Sequence, residues 1–154
     1  MQALLDLLDA GGVSLATAAA RLGLSEGQAL AALADAGRSA RVEGSKALVT
    51  VKQWGKVRVI LRSRSCVAEV MSDLGAVREG GGWWNDEDER VHLHLDTRDV
   101  AAAFVTTKAG HATGRAVRMV TFVDGAGEVL FKVMLPKERT DLVLAFNALK
   151  DGVA

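Results

Sequence analysis

A chain of 154 residues, 49% hydrophobic and 25% charged, has enough interior for one folded core and none of the bias of a disordered or fibrous sequence. Nineteen basic residues balance nineteen acidic ones, so no bulk charge draws it to nucleic acid or to an anionic membrane. The lone cysteine, Cys66, excludes an internal disulfide and a thiolate zinc cluster and suits a reducing compartment.

In chain order, the first forty residues are rich in Ala and Leu. Leu4, Leu5, Leu7 and Leu8 mark a short amphipathic helix that Gly11-Gly12 ends. Ser14 caps a second helix through Ala20, and Gly23 closes it. Ser25, with Gln28 three residues on, forms a capping box for a third helix that runs to Gly37. From Leu48 the period changes to two. Val57, Val59 and Leu61 alternate with Arg58, Ile60 and Arg62 in a strand, and Cys66 to Met71 supplies its hairpin partner, with Cys66 as a buried filler.

Gly80-Gly81-Gly82 interrupts the sheet before Trp83-Trp84, and the acidic run Asp86 to Glu89 reads as a solvated turn. Val91 to Leu95 and Val100 to Thr107 follow as strands, and Lys108 to Gly114 as a loop. Arg115 to Val123 and Glu128 to Leu135 flank the hairpin signal Asp124-Gly125-Ala126-Gly127. Pro136 stops the last strand. Glu138 to Lys150 reads as a closing helix with Leu142, Leu144, Ala145, Phe146 and Leu149 inward. The expectation is a single α+β domain over residues 1–154. It comprises a three-helix head over 1–40, a large, mostly antiparallel β-sheet over 47–135 and a C-terminal helix over 138–151.

Neither an apolar run able to span a bilayer nor a signal-peptide pattern after Met1 is present, so a cytoplasmic protein without membrane insertion is expected. The sharpest chemical signal is His92 with His94. Residues two apart in a strand point to one face, so Val91, Leu93 and Leu95 turn inward and both imidazoles turn outward. Neutral imidazole ligates metals and haem iron, although polar residues also fill the outward face of any half-buried strand. His111 is the only other histidine, too few for a zinc site of the usual pattern.

Adjacent tryptophans point to opposite faces, so one of Trp83 and Trp84 serves the core and the other is free to stack on a flat ligand or a subunit contact. Arg115 and Arg118 on one strand, and Arg58, Arg62 and Arg64 on the earlier hairpin, are placed to grip carboxylates, or simply to stay solvated. No nucleophile elbow, phosphate loop or dinucleotide fingerprint appears, so no catalytic residue is assigned.

Two readings compete. Ser14 to Leu30 resembles a helix-turn-helix core with Gly23 in the turn. Residues 25–36, however, hold no Lys or Arg and two acids, Glu26 and Asp35, which suits neither phosphate nor base contact. The second reading is a resemblance over nearly the whole chain. It rests on Gly12-Val13-Ser14-Leu15, Gln53-Trp54-Gly55-x-Val57 and Gly82-Trp83-Trp84-Asn85. The longest stretch is Gly114-Arg115-x-x-Arg118-x-Val120-x-Phe122-x-Asp124-x-x-Gly127 followed by Phe131-Lys132-Val133.

In this order the motifs resemble the cytosolic haem-utilisation carriers (HutX/ChuX type) and one half of the duplicated haem-trafficking or haem-degrading proteins. The resemblance implies a sheet-based homodimer that carries haem as cargo between donor and acceptor proteins. It implies His94 or His92 as iron ligand, with Arg115 and Arg118 near the propionates and Trp83 or Trp84 stacking on the porphyrin. Where some relatives carry a hairpin histidine, this chain has Arg62, which joins the cargo-contacting set. A haem-degrading enzyme is the alternative within the resemblance, and a DNA-binding regulator the alternative outside it.

Overall fold

The computed structural model describes residues 1–63, 65–88, 91–109 and 116–152. Three helices open the chain, α1 (Gln2–Asp9), α2 (Leu15–Arg21) and α3 (Glu26–Asp35). The capping box is formed: Ser25 N–H donates to Gln28 Oε1 (2.8 Å) and Gln28 N–H to Ser25 Oγ (3.1 Å). Leu4, Ala18, Ala19, Ala29 and Leu33 make a small core within this head. Small residues dominate it because short helices must approach closely to bury anything at all.

Next come β1 (Ser39–Glu43) and α4 (Gly44–Lys52), neither expected from the residue pattern. The Val-Thr-Val of residues 49–51 has the period of a strand, yet the segment is helical. Ala47 and Val51, four apart, are fully buried while Val49 is 62% exposed, so packing overrides local propensity. The remaining strands are β2 (Lys56–Arg62), β3 (Val67–Asp73), β4 (Arg78–Gly80), β5 (Trp83–Asp88), β6 (Val91–Asp96), β7 (Ala102–Ala109), β8 (Ala116–Val123) and β9 (Val129–Met134). A 3-10 turn (Thr140–Leu142) leads into α5 (Val143–Lys150).

All strand pairings are antiparallel, but they form two sheets: six strands in the order β1-β7-β8-β9-β2-β3, and three in the order β4-β5-β6. The head covers one face of the larger sheet, where Leu30 meets Ala102, Phe104 and Val123. On the other face α4, α5 and the small sheet enclose the main core of Val57, Val59, Val105, Val120, Phe122, Phe131 and Val133 against Trp54, Trp84, Leu93, Leu95, Phe146 and Leu149. Phe122 and Phe131 stack with centroids 4.6 Å apart.

Polar contacts help fix the head to the sheet. Ser25 Oγ donates to the carbonyl of Gly127 in the β8–β9 hairpin (3.1 Å), and Lys132 of β9 pairs with Glu26 at 2.6 Å in a nearly enclosed setting. The approach is close enough that a Cβ on Gly27 would lie 2.1 Å from the Gly127 carbonyl oxygen, so only glycine fits there.

Three further expectations are corrected. Leu144 faces solvent, 81% exposed, because α5 turns Phe146 and Leu149 inward instead. Cys66 is exposed at the β2–β3 turn rather than buried in a strand. Asp86 to Asp88 continue β5 rather than forming a turn, and Asp86 accepts a hydrogen bond from the Ser72 hydroxyl (2.6 Å).

Candidate functional site

In β6 the alternation is strict: Leu93 and Leu95 are each 5% exposed, whereas His92 and His94 face solvent. β5 opposes it with Trp84 buried at 6% and Trp83 exposed at 37%. The register pairs Trp83 with Asp96, Asn85 with His94 and Glu87 with His92, and on the other edge Arg78 with Asn85. Arg78, Trp83, Asn85, Glu87, His92, His94 and Asp96 therefore share the outward face of the small sheet. Its inward face is tied to the main core by Trp84, Leu93 and Leu95, each burial worth roughly 1.5–3 kcal/mol. The face is thus a polar surface on a rigid backing.

Partners on this face are specific. His94 Nδ1 lies 2.7 Å from Asn85 Oδ1, and Asn85 Nδ2 donates to the backbone carbonyl of Arg78 (3.2 Å). The Arg78 guanidinium pairs with Glu87. Asp96 accepts two hydrogen bonds from the Arg98 guanidinium, Nε to Oδ1 at 2.9 Å and Nη2 to Oδ2 at 2.5 Å. The Arg98 side chain, aided by its own backbone N–H, holds the Asp96 carboxyl down to about 2. The Arg98 guanidinium sits 5.6 Å from the centre of the Trp83 ring. Its stem lies across Gly82, where a Cβ would come within 2.3 Å of Arg98 Cγ, and the φ of +83° there also favours glycine. Thr97 fastens this end by donating from both its backbone N–H (2.9 Å) and its hydroxyl (2.7 Å) to the Gly82 carbonyl.

The residues singled out from the sequence fall in three places. His92, His94 and Trp83 share the small-sheet face, while Trp84 is on its buried side. Arg118 lines a cleft of about 300 Å³ beside Lys137 and Arg139, at the mouth of α5. Arg62 lines a cleft of about 530 Å³ between the head and the large sheet, with Leu8, Leu30 and Met119 as apolar wall and Lys108 as a second cation. Arg115, Arg64 and His111 lie outside the described residues. Sequence reading missed Arg98 and gave Asn85 only as part of a motif; the Asp-x-Arg turn after β6 was the available signal for Arg98.

Packing gives the helix-turn-helix reading no support. α3, which would have to enter a DNA groove, buries Gly27, Ala29, Leu30 and Leu33 against the rest of the protein and spends Glu26 on Lys132. Among the described residues no three His, Cys, Asp or Glu side chains are grouped to hold a metal ion by themselves, and no helix is long and apolar enough to cross a membrane.

Residues 39–149 match the family described as haem utilisation ChuX/HutX. No curated protein matches the chain. Among solved structures, that of the haem-binding protein ChuX is similar with a TM-score of 0.76 at 17% identity, covering 97% of this chain and 98% of that one. The haem-degrading enzyme ChuS of Escherichia coli O157:H7 gives 0.79 at 19% identity, covering 96% of this chain and 44% of that one. Holo-PhuS, a haem-binding protein from Pseudomonas aeruginosa, gives 0.77 at 22%, covering 97% and 44%. At such identities the likeness is one of fold, and this chain spans under half the length of the last two proteins.

Proposed function

We propose that this chain, which belongs to the ChuX/HutX haem-utilisation family, binds haem as cargo and passes it on, holding it at the outward face of β4, β5 and β6. The observation that carries this reading is an imidazole pair beside a half-exposed indole, on a strand whose other side is locked into the core. Haem iron arrives with four equatorial positions already filled by porphyrin nitrogens, so a single protein nitrogen suffices to ligate it. His92 and His94 supply that nitrogen. Trp83 supplies the flat apolar surface, since Trp84 is committed to the core.

Arg98 stands over Trp83 on this face, whereas Arg118 and Arg62 line other clefts. If those two arginines, or Arg115, reach the propionates of the same haem, a second copy brings them. An isologous homodimer is therefore part of the proposal. A polar, open face suits a carrier in the cytoplasm that must release its load to an acceptor protein, where a deep apolar pocket would retain it.

The test is a haemin titration followed by absorbance for wild type, His92→Ala and His94→Ala. A saturable Soret shift that one of the histidine variants loses is expected. Shifts that survive in both variants, and in the double variant, overturn ligation from this strand. A second reading, haem degradation, is favoured by the fold shared with ChuS, whose described activity is haem breakdown. Added reductant and oxygen separate the two. A carrier's Soret band persists, and a degrader's bleaches.

A further inference from the structure

We propose that Asn85 is a positioning residue: it fixes the tautomer of His94, and so makes His94 rather than His92 the iron ligand. The proposal rests on the haem-binding reading above and sharpens it to one nitrogen atom.

The argument is one of donors and acceptors. A backbone carbonyl only accepts, so the Asn85 amide must turn Nδ2 toward the Arg78 carbonyl, 3.2 Å away. That leaves Oδ1 toward His94, and Oδ1 also only accepts. His94 Nδ1, at 2.7 Å, must therefore carry the ring proton. In a neutral imidazole the other nitrogen, Nε2, then holds the free lone pair and lies on the far side of the ring from Asn85. Free histidine prefers the opposite tautomer, so the sheet register itself, with Asn85 between Arg78 and His94, sets this choice.

His92 lacks such a partner. It stands opposite Glu87, whose carboxylate pairs with Arg78, and its side chain makes no hydrogen bond among the described residues. Ligating histidines generally give their second N–H to an acceptor, which orients the ring and raises its basicity. An amide oxygen does this more weakly than a carboxylate. Asparagine at 85 thus presents a neutral ligand of moderate strength, fit for a load that is later surrendered.

Two readouts test it. The first needs no haem: long-range ¹⁵N spectra of the apoprotein above the histidine titration should report His94 as Nδ1–H in wild type. In Asn85→Ala the ring should revert toward Nε2–H, with the rest of the amide fingerprint unchanged. The second is haemin titration of wild type, Asn85→Ala and Asn85→Asp. Loss of the outer-sphere partner should weaken binding by roughly 10–100-fold. Asn85→Asp should restore binding and lower the Fe(III)/Fe(II) potential below that of wild type.

Of the two histidine variants, His94→Ala is the one expected to lose the Soret shift. An Nε2–H tautomer in wild type, or a shift lost in His92→Ala and kept in His94→Ala, overturns the positioning role while haem binding stands. Wild type that takes up no haemin overturns the haem reading and the ligand role with it, whatever the tautomer.

Discussion

The two sheets are made by the same chain with the same antiparallel pairing, yet they answer to different constraints. The six-stranded sheet is covered on both faces along parts of β7 and β8, which are apolar on both: Ala102 to Val105 in β7 and Val120 to Val123 in β8 are buried, with Thr121 the one polar side chain among them. The three-stranded sheet is covered on one face only, so β6 alternates and turns His92, His94 and Asp96 outward. Burial on two sides gives stability and leaves little room for reactive side chains. Burial on one side gives a backing rigid enough to present them.

That contrast is broken most directly by exchanging the costs. Phe122→Ala removes a fully buried ring stacked on Phe131 and is expected to destabilise by about 3–5 kcal/mol, whereas Trp83→Ala on the exposed face should stay near 0.5 kcal/mol. Denaturant unfolding of both variants measures the difference; equal losses would mean that the small-sheet face is part of the stabilising core.

Gly27→Ala comes next, since its Cβ meets backbone rather than a side chain that is able to move. A loss toward the upper end of about 1–3 kcal/mol is expected, read as a lower denaturation midpoint with faster amide exchange in α3.

The smallest effect concerns Asp96. Its folded pKa is lowered from 3.8 to about 2 by Arg98, so its contribution is fully present above about 3.8 and is lost as pH falls through about 2. A carboxyl-carbon titration should place the Asp96 midpoint near 2 in wild type and higher in Arg98→Ala, where the backbone N–H of residue 98 still reaches the carboxylate. Coincident midpoints would remove Arg98 as the cause.

How much of this was legible follows the reach of each signal. Helices α1 to α3, the β8–β9 hairpin and the outward turn of His92 and His94 come from patterns local to a few residues, and the sequence carries them openly. α4 was not legible, because its β-branched run is helical only by virtue of what Ala47 and Val51 meet in three dimensions. Leu144 misled for the same reason: the face an amphipathic helix buries is chosen by its neighbours. At the site, the histidines could be read and their partner could not. Asn85 and His94 are nine residues apart, and only the register of β5 on β6 sets them opposite each other. Arg118 and Arg62 line clefts apart from the histidines within one chain, which the residue pattern did not show because charge type is visible in a sequence and location is not.

The Ser25 hydroxyl takes part in two bonds at once. It accepts the Gln28 N–H that closes the start of α3, and it donates its own proton to the Gly127 carbonyl across the gap to the sheet. One atom therefore serves both as the helix's first stitch and as the fastening between two layers. Peeling the head away from the hairpin frees the hydroxyl to rotate and loosens the helix end in the same step. Undocking of the head and fraying at the start of α3 are thus coupled through one side chain.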